Sequence, residues 1–396
     1  MTRGTERQSA RAEISLAIAG KAGTAFGAIG FASLAPFIRT DLELSTTFVG
    51  GILAMVFLGA MLSIVPAGRI TDRWPAGRAV GVFLLLHVAG LAIAASAPNQ
   101  AVFFFGAAVV GLGYGAVDPG TNVLVSANTT QRRRGLLMGL SHTGLTLGGL
   151  LGGLVLPRIA EATDWRVALI APIVFASVVA IWGLRIGGPS PERLEKRRRE
   201  PIRPSSLGAL GAYGFVMAGV QLTVLSFLAI YLVDEIGQSK TTAGLGISVL
   251  LAGATVGRIS WGWLSDRLHS RIFVLQLAAL GSAVTLALLP PAGSNPGLWL
   301  LLFGLGFCSI GWNGVYIAVA AEGVGPTAVG QATAIALVFA FAGGFVLPPS
   351  FGEIVDTTGS WPLTWLVAAA LVALLVPTLG SSARRLSARR STPTVS

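Results

Sequence analysis

Gly68-Arg69-Ile70-Thr71-Asp72-Arg73 returns 194 residues later as Gly262-Trp263-Leu264-Ser265-Asp266-Arg267. Each copy stands at the end of an apolar stretch about as long as a bilayer is thick. Ten more stretches of this kind lie to either side, so that apolar runs cover 14–37, 47–67, 79–96, 101–127, 135–157, 166–185, 207–233, 242–264, 272–290, 297–320, 328–350 and 361–380. A helix needs about 20 apolar residues to cross the hydrocarbon core. With 53% of its residues hydrophobic and only 11% charged, the chain is a poor fit to a soluble globule. Its 52 glycines suit close packing between membrane helices.

A net charge of +11 raises the question of nucleic acid, and the distribution answers it. With the N-terminus in the cytoplasm, 22 of the 28 basic residues fall in the cytoplasmic tails and loops. The opposite side holds only Arg39, Arg158, Arg166 and Lys240. This positive-inside bias places both termini in the cytoplasm, with the bilayer rather than nucleic acid as the partner. A bacterial cytoplasmic membrane and a monomeric state are the expectation. Span 1 reads as a retained helix rather than a cleaved signal. The single cysteine, Cys308, lies in an apolar run, so no internal disulfide forms. Three scattered histidines and one cysteine give no metal-binding spacing, and no GxxxxGK[ST] loop occurs. No nucleophile–base pair is found within the spans, so neither an enzyme nor a cofactor is expected.

The one long polar stretch inside the chain, Gly187 to Ser206, reads as a cytoplasmic linker with six apolar runs on each side. The expected organisation is a tail at 1–13, a six-helix bundle at 14–185, the linker at 186–206, a second bundle at 207–380 and a tail at 381–396. Two further landmarks recur in order. Gly152-Gly153-Leu154-Val155-Leu156-Pro157 matches Gly343-Gly344-Phe345-Val346-Leu347-Pro348, and Gly111-Leu112-Gly113-Tyr114 matches Gly304-Leu305-Gly306-Phe307. Parallel repeats of this kind are typical of secondary transporters.

On these motifs the chain resembles the major facilitator superfamily over almost its whole length. The first loop resembles that family's G-x-x-x-D-R-x-G-R pattern, although Gly77-Arg78 arrive two residues late; the second copy lacks the later glycine. The resemblance implies an all-α membrane protein with 12 transmembrane helices in two pseudo-symmetric six-helix bundles. It assigns gating to Gly68, Asp72, Arg73, Gly262, Asp266 and Arg267. Physically, each glycine lets a neighbouring helix approach, while Asp and Arg cap helix ends or form pairs. The plain alternative is a tight charged turn.

Of 17 acidic residues only Asp118 lies well within a span, and Lys21 and Arg258 are the comparable basic ones. Ionisable side chains at depth are expensive and face a cavity or a partner. Asp118 and Asn122 are four apart on one helix face, beside Pro119 and the Gly111, Gly113 and Gly115 series, so span 4 is expected to bend or free backbone carbonyls. This run resembles span 4 of fucose-type sugar–proton symporters, where an acidic residue occupies the matching place. There the first and fourth helices of each half line the cavity, which implies spans 1, 4, 7 and 10 here. Asp118 is then the proton-coupling residue, with a static Asp118–Lys21 ion pair as the alternative. Lys21 is read either as counter-ion and anion-binding group or as snorkelling to the headgroups. Arg258 is assigned to the gate, with Glu322 as its possible partner.

Tyr213 and Gln221 on span 7 and Trp312 and Asn313 on span 10 join Lys21 and Asn122 as expected substrate contacts. His142 reads as a packing residue. The glycines of span 5, Gly144, Gly148, Gly149, Gly152 and Gly153, resemble the superfamily's antiporter signature without its proline and read first as a packing face. The leading function is a proton-coupled carrier of a small organic solute. An efflux antiporter for drugs or metabolites comes second, and a transporter-like receptor that moves nothing is the third reading.

Overall fold

The computed structural model describes residues 3–128, 134–188, 208–322 and 329–379, and their regular structure is helical throughout. Twelve helices among them are long and apolar enough to cross a membrane. Spans 1–6 are Ser9–Asp41, Thr46–Thr71, Ala76–Ala95, Gln100–Ala127, Ser141–Ala162 and Trp165–Ile186. Spans 7–12 are Gly208–Asp234, Lys240–Leu268, Arg271–Ala292, Gly297–Glu322, Ile335–Thr358 and Trp361–Leu379. The stretch read as an N-terminal tail is helical from Arg3 onward, as the first helix runs from there to Ala28. Most of the linker and the tail at 381–396 lie outside the described residues.

The described residues divide into two compact units. One holds the spans before the linker together with Leu225–Ser248; the other holds the remainder of the spans after it. The sequence repeat gives no sign that Leu225–Ser248 packs with the first unit. Side chains around that segment supply the reason. Asp234 forms an ion pair with Arg39, and Thr241 donates to Glu161. Lys240 lies over the Phe37 ring at 4.8 Å, and the Ser248 hydroxyl donates to the Leu150 carbonyl at 2.9 Å.

Close backbone approach organises both units. In the first, a Cβ added at Gly111 would strike the Val56 carbonyl of span 2, and one at Gly113 would meet the His87 backbone of span 3. Span 4 is therefore wedged between two neighbours at van der Waals distance. In the second unit a Cβ at Gly306 of span 10 would strike the Leu250 carbonyl of span 8. Val56 and Leu250 are 194 residues apart, the spacing of the loop repeat. Packing thus equates Gly111 with Gly306, where the sequence pattern had matched it to Gly304. The same offset of 195 sets Asn313 in the place of Asp118.

Span 4 is helical without interruption from Gln100 to Ala127, with Pro119 inside it. The interruption falls in span 10, between the helices Gly297–Ser309 and Asn313–Glu322. Two carbonyls freed there are recovered by side chains. The Trp312 indole donates to Ser309 O at 2.8 Å and the Asn313 amide to Ile310 O at 3.0 Å. Such repair is what permits a broken helix at membrane depth.

Not all the glycines are needed for packing. Among the described residues nothing lies within 4 Å of where a Cβ would sit at Gly68 or Gly262. The close-approach role expected of these two is corrected. In the first loop that role belongs to Gly77, whose Cβ would meet the Gly187 carbonyl at 3.0 Å. Gly111→Ala is accordingly expected to destabilise the protein by about 1–3 kcal/mol through overpacking, whereas Gly68→Ala should be neutral or stabilise its helix by up to about 1 kcal/mol. Chemical unfolding of the purified variants checks the contrast.

Candidate functional site

Span 5 lies on span 1 through a stripe of small residues. A Cβ at Gly144 would strike the Ile18 carbonyl, and one at Gly148 the Ala22 carbonyl. This bears out the packing reading of the span 5 glycines and places His142 beside Lys21. Span 1 in turn meets span 4 at Gly20, where a Cβ would lie 3.5 Å from Thr121 and 3.7 Å from Val117. Lys21 is thereby carried to the face of span 4 that bears Asp118 and Asn122.

Three helices thus converge on one ammonium group. Lys21 Nζ lies 2.7 Å from Asp118 Oδ1, 3.3 Å from Asn122 Oδ1 and 3.0 Å from His142 Nε2. An ammonium has three protons and no acceptor, so each contact takes one proton. His142 Nε2 must then present its lone pair, which puts the ring proton of the neutral imidazole on Nδ1. Snorkelling is ruled out, because the Lys21 side chain is only 1% exposed. Asp118 keeps 34% of its side-chain surface open, so the carboxylate is the accessible member of the pair.

The packing role expected of His142 is corrected, since its ring nitrogen meets the Lys21 ammonium. The signal was present, since His142 stands two residues before the small-residue stripe that seats span 5 on span 1. It became meaningful only with the register of that contact.

The second unit has a neutral counterpart. Asn313, in the place equivalent to Asp118, donates to Gln221 Oε1 at 3.2 Å. A span 7–span 10 amide pair therefore stands where the first unit has a span 1–span 4 ion pair. Beside it, Tyr213, Trp312 and Tyr316 form an aromatic cluster with centroids 5.2–6.2 Å apart. The expectation that Tyr213 and Trp312 line a cavity is corrected, since both are 0% exposed. Their polar ends are occupied as well, the Tyr213 hydroxyl donating to the Leu275 carbonyl at 3.0 Å. The cluster braces the break in span 10 and leaves Gln221 and Asn313 as the accessible polar groups.

The two loop copies differ in local structure. Asp72 caps span 2, its N–H donating to the Gly68 carbonyl at 3.0 Å, and Arg73 follows it. Asp266 and Arg267 are still helical, within Lys240–Leu268, so the second copy is no loop. Arg267 sits in the last turn, where a cation suits the helix dipole, 5.3 Å from the centroid of Trp263 one turn back. Glu322, considered as a partner for Arg258, pairs with Arg271 at 2.7 Å. Among the described residues no group of three or more His, Cys, Asp or Glu is placed to hold a metal ion.

Known proteins share this architecture and sequence pattern. The family model described as Major Facilitator Superfamily matches residues 18–348 and 209–394. An uncharacterized MFS-type transporter of Mycobacterium tuberculosis is 30% identical over 71% of this chain and 66% of its own length. The hexose-6-phosphate:phosphate antiporter of Escherichia coli is 28% identical over 60% of this chain and 58% of its own. The hexuronate transporter of Bacillus subtilis is 24% identical over 85% and 86%. The match therefore spans somewhat less than two thirds of the mycobacterial and E. coli relatives. Among solved structures, a bacterial homolog of the human lysosomal transporter Spinster superposes with a TM-score of 0.78 at 14% identity, covering 97% of this chain and 98% of that one.

Proposed function

The chain belongs to the major facilitator superfamily of multi-pass membrane transporters, and on that premise we propose that it moves a small organic solute by alternating access, coupled to protons through Asp118. The observation that supports the coupling is the Lys21–Asp118 pair, one partner enclosed and the other open. A partly open acid held by an enclosed base is a switch with two states. Ionised, Asp118 satisfies Lys21; protonated, it releases Lys21 for another anion. Substrate contact is assigned to Lys21, Asn122, Gln221 and Asn313. Two of the similar proteins are named for anionic sugars, a hexose phosphate and a hexuronate, which accords with a lysine in the site.

Gating is assigned to the two loop copies and Arg258, on the ground that Gly68, Asp72 and Arg73 recur as Gly262, Asp266 and Arg267 in the same span context. The charge bias supports an orientation with both termini inside, and we assign the protein to a bacterial cytoplasmic membrane as a monomeric carrier.

The test is accumulation in proteoliposomes under an imposed pH gradient. Wild-type protein is expected to concentrate its solute against a gradient, while Asp118→Asn only equilibrates it. Equal accumulation by the two proteins would remove Asp118 from the coupling step.

A further inference from the structure

The charge balance around Lys21 restricts what the solute can be. With Asp118 ionised, the enclosed ammonium and the carboxylate sum to zero. Protonating Asp118 alone leaves a lysine that is 1% exposed with no counter-charge. A buried charge without its partner is strongly unfavourable. Bringing in an anion alone is no better, because two negative charges then face one positive. Each event opposes the other's absence, and the two together restore neutrality. Titratable neighbours do not upset this balance. His142 on span 5 already accepts from Lys21, and His87 on span 3 is held at the Val110 carbonyl, 3.0 Å away. Span 2 contributes Ala60 and Ser63, both uncharged, where it meets span 4 at Gly115.

We infer that the solute carries a single carboxylate, which replaces Asp118 on Lys21, and that one proton crosses with each solute molecule. The proton moves from water to the Asp118 carboxylate on loading and leaves it on release, so the loaded and empty sites bear the same charge. A neutral sugar would leave the loaded site at +1, and a phosphate dianion at −1. His142 acts as a positioning residue: its Nε2 keeps hold of the ammonium while the carboxylate partner is exchanged, and the Asn122 side chain is the third contact. This inference rests on the proton-coupling reading of Asp118 and adds the substrate class.

A matched panel of lactate, benzoate, glucuronate, glucose and glucose 6-phosphate tests it, using the full chain in lipid nanodiscs and in vesicles. At least one monocarboxylate is expected to stabilise the protein against heat, more at pH 6 than at pH 8. Its uptake should follow the pH gradient and stay unchanged when the membrane potential is clamped at either sign. His142→Leu is expected to weaken that binding at least about tenfold, the worth of one charge-assisted hydrogen bond, and His142→Gln to restore it to within about threefold. If no monocarboxylate stabilises the protein, or if uptake responds to the potential, the substrate class is overturned while the role of Asp118 stands. If Asp118→Asn keeps the wild-type pH dependence, the coupling reading itself falls. Equal carboxylate binding by wild type and His142→Leu would remove His142 from the site.

Discussion

Lys21→Met is expected to abolish transport and to cost about 3–5 kcal/mol of stability, because it strands the Asp118 carboxylate at membrane depth. The partial exposure of Asp118 moves the expectation toward the lower end of that range. The double variant Lys21→Met/Asp118→Leu separates the structural role of the pair from its transport role. Replacing a buried ion pair by apolar residues of similar volume is often neutral or stabilising. The double variant should therefore regain most of the lost stability and still transport nothing. Chemical unfolding and solute flux, measured on the same preparations, read the two effects separately. A double variant that transports like wild type would reduce the pair to a tie between spans 1 and 4.

Gly144→Leu is expected to be nearly as damaging through packing alone. A Cβ there would strike the Ile18 carbonyl and lie 3.2 Å from the Lys21 Cβ. The first obstacle is backbone, which cannot rotate away, so span 5 must move off span 1. Overpacking of this kind costs about 1–3 kcal/mol, and a rigid obstacle puts the cost at or above the upper end. The same movement draws His142 away from Lys21, so solute affinity should fall together with the unfolding midpoint. Leu at position 147, which is exposed, offers the control: Leu147→Ala should change neither quantity.

Hydropathy made all twelve spans legible, with ends good to about two helical turns, because crossing a bilayer imposes a length and an apolar composition that little else in a protein requires. Asp118 and Lys21 stood out for the same reason, as charges in places where charge is costly. What the sequence did not carry was register between helices. His142 joins the site only because Gly144 and Gly148 fix how span 5 sits on span 1. Tyr213 and Trp312 leave it because they close on Tyr316 and on backbone carbonyls. In the sequence the bend is expected in span 4, at Pro119, yet a proline costs one hydrogen bond and the helix runs through it. Span 10 breaks instead at Ile310-Gly311-Trp312, where Trp312 and Asn313 recover two of the freed carbonyls. Gly68 and Gly262 repeat in sequence without a close contact among the described residues, so recurrence alone does not identify which glycines bear on packing.

Proton release or uptake on adding a monocarboxylate to the purified protein, in weak buffer with a pH-sensitive dye, probes the coupling at its source. Wild-type protein should take up about one proton for each ligand bound near neutral pH, and Asp118→Asn none, as linkage requires of a group that changes protonation on binding. Binding without proton uptake in the wild type, or undiminished uptake in Asp118→Asn, would contradict the assignment of Asp118 as the coupling residue.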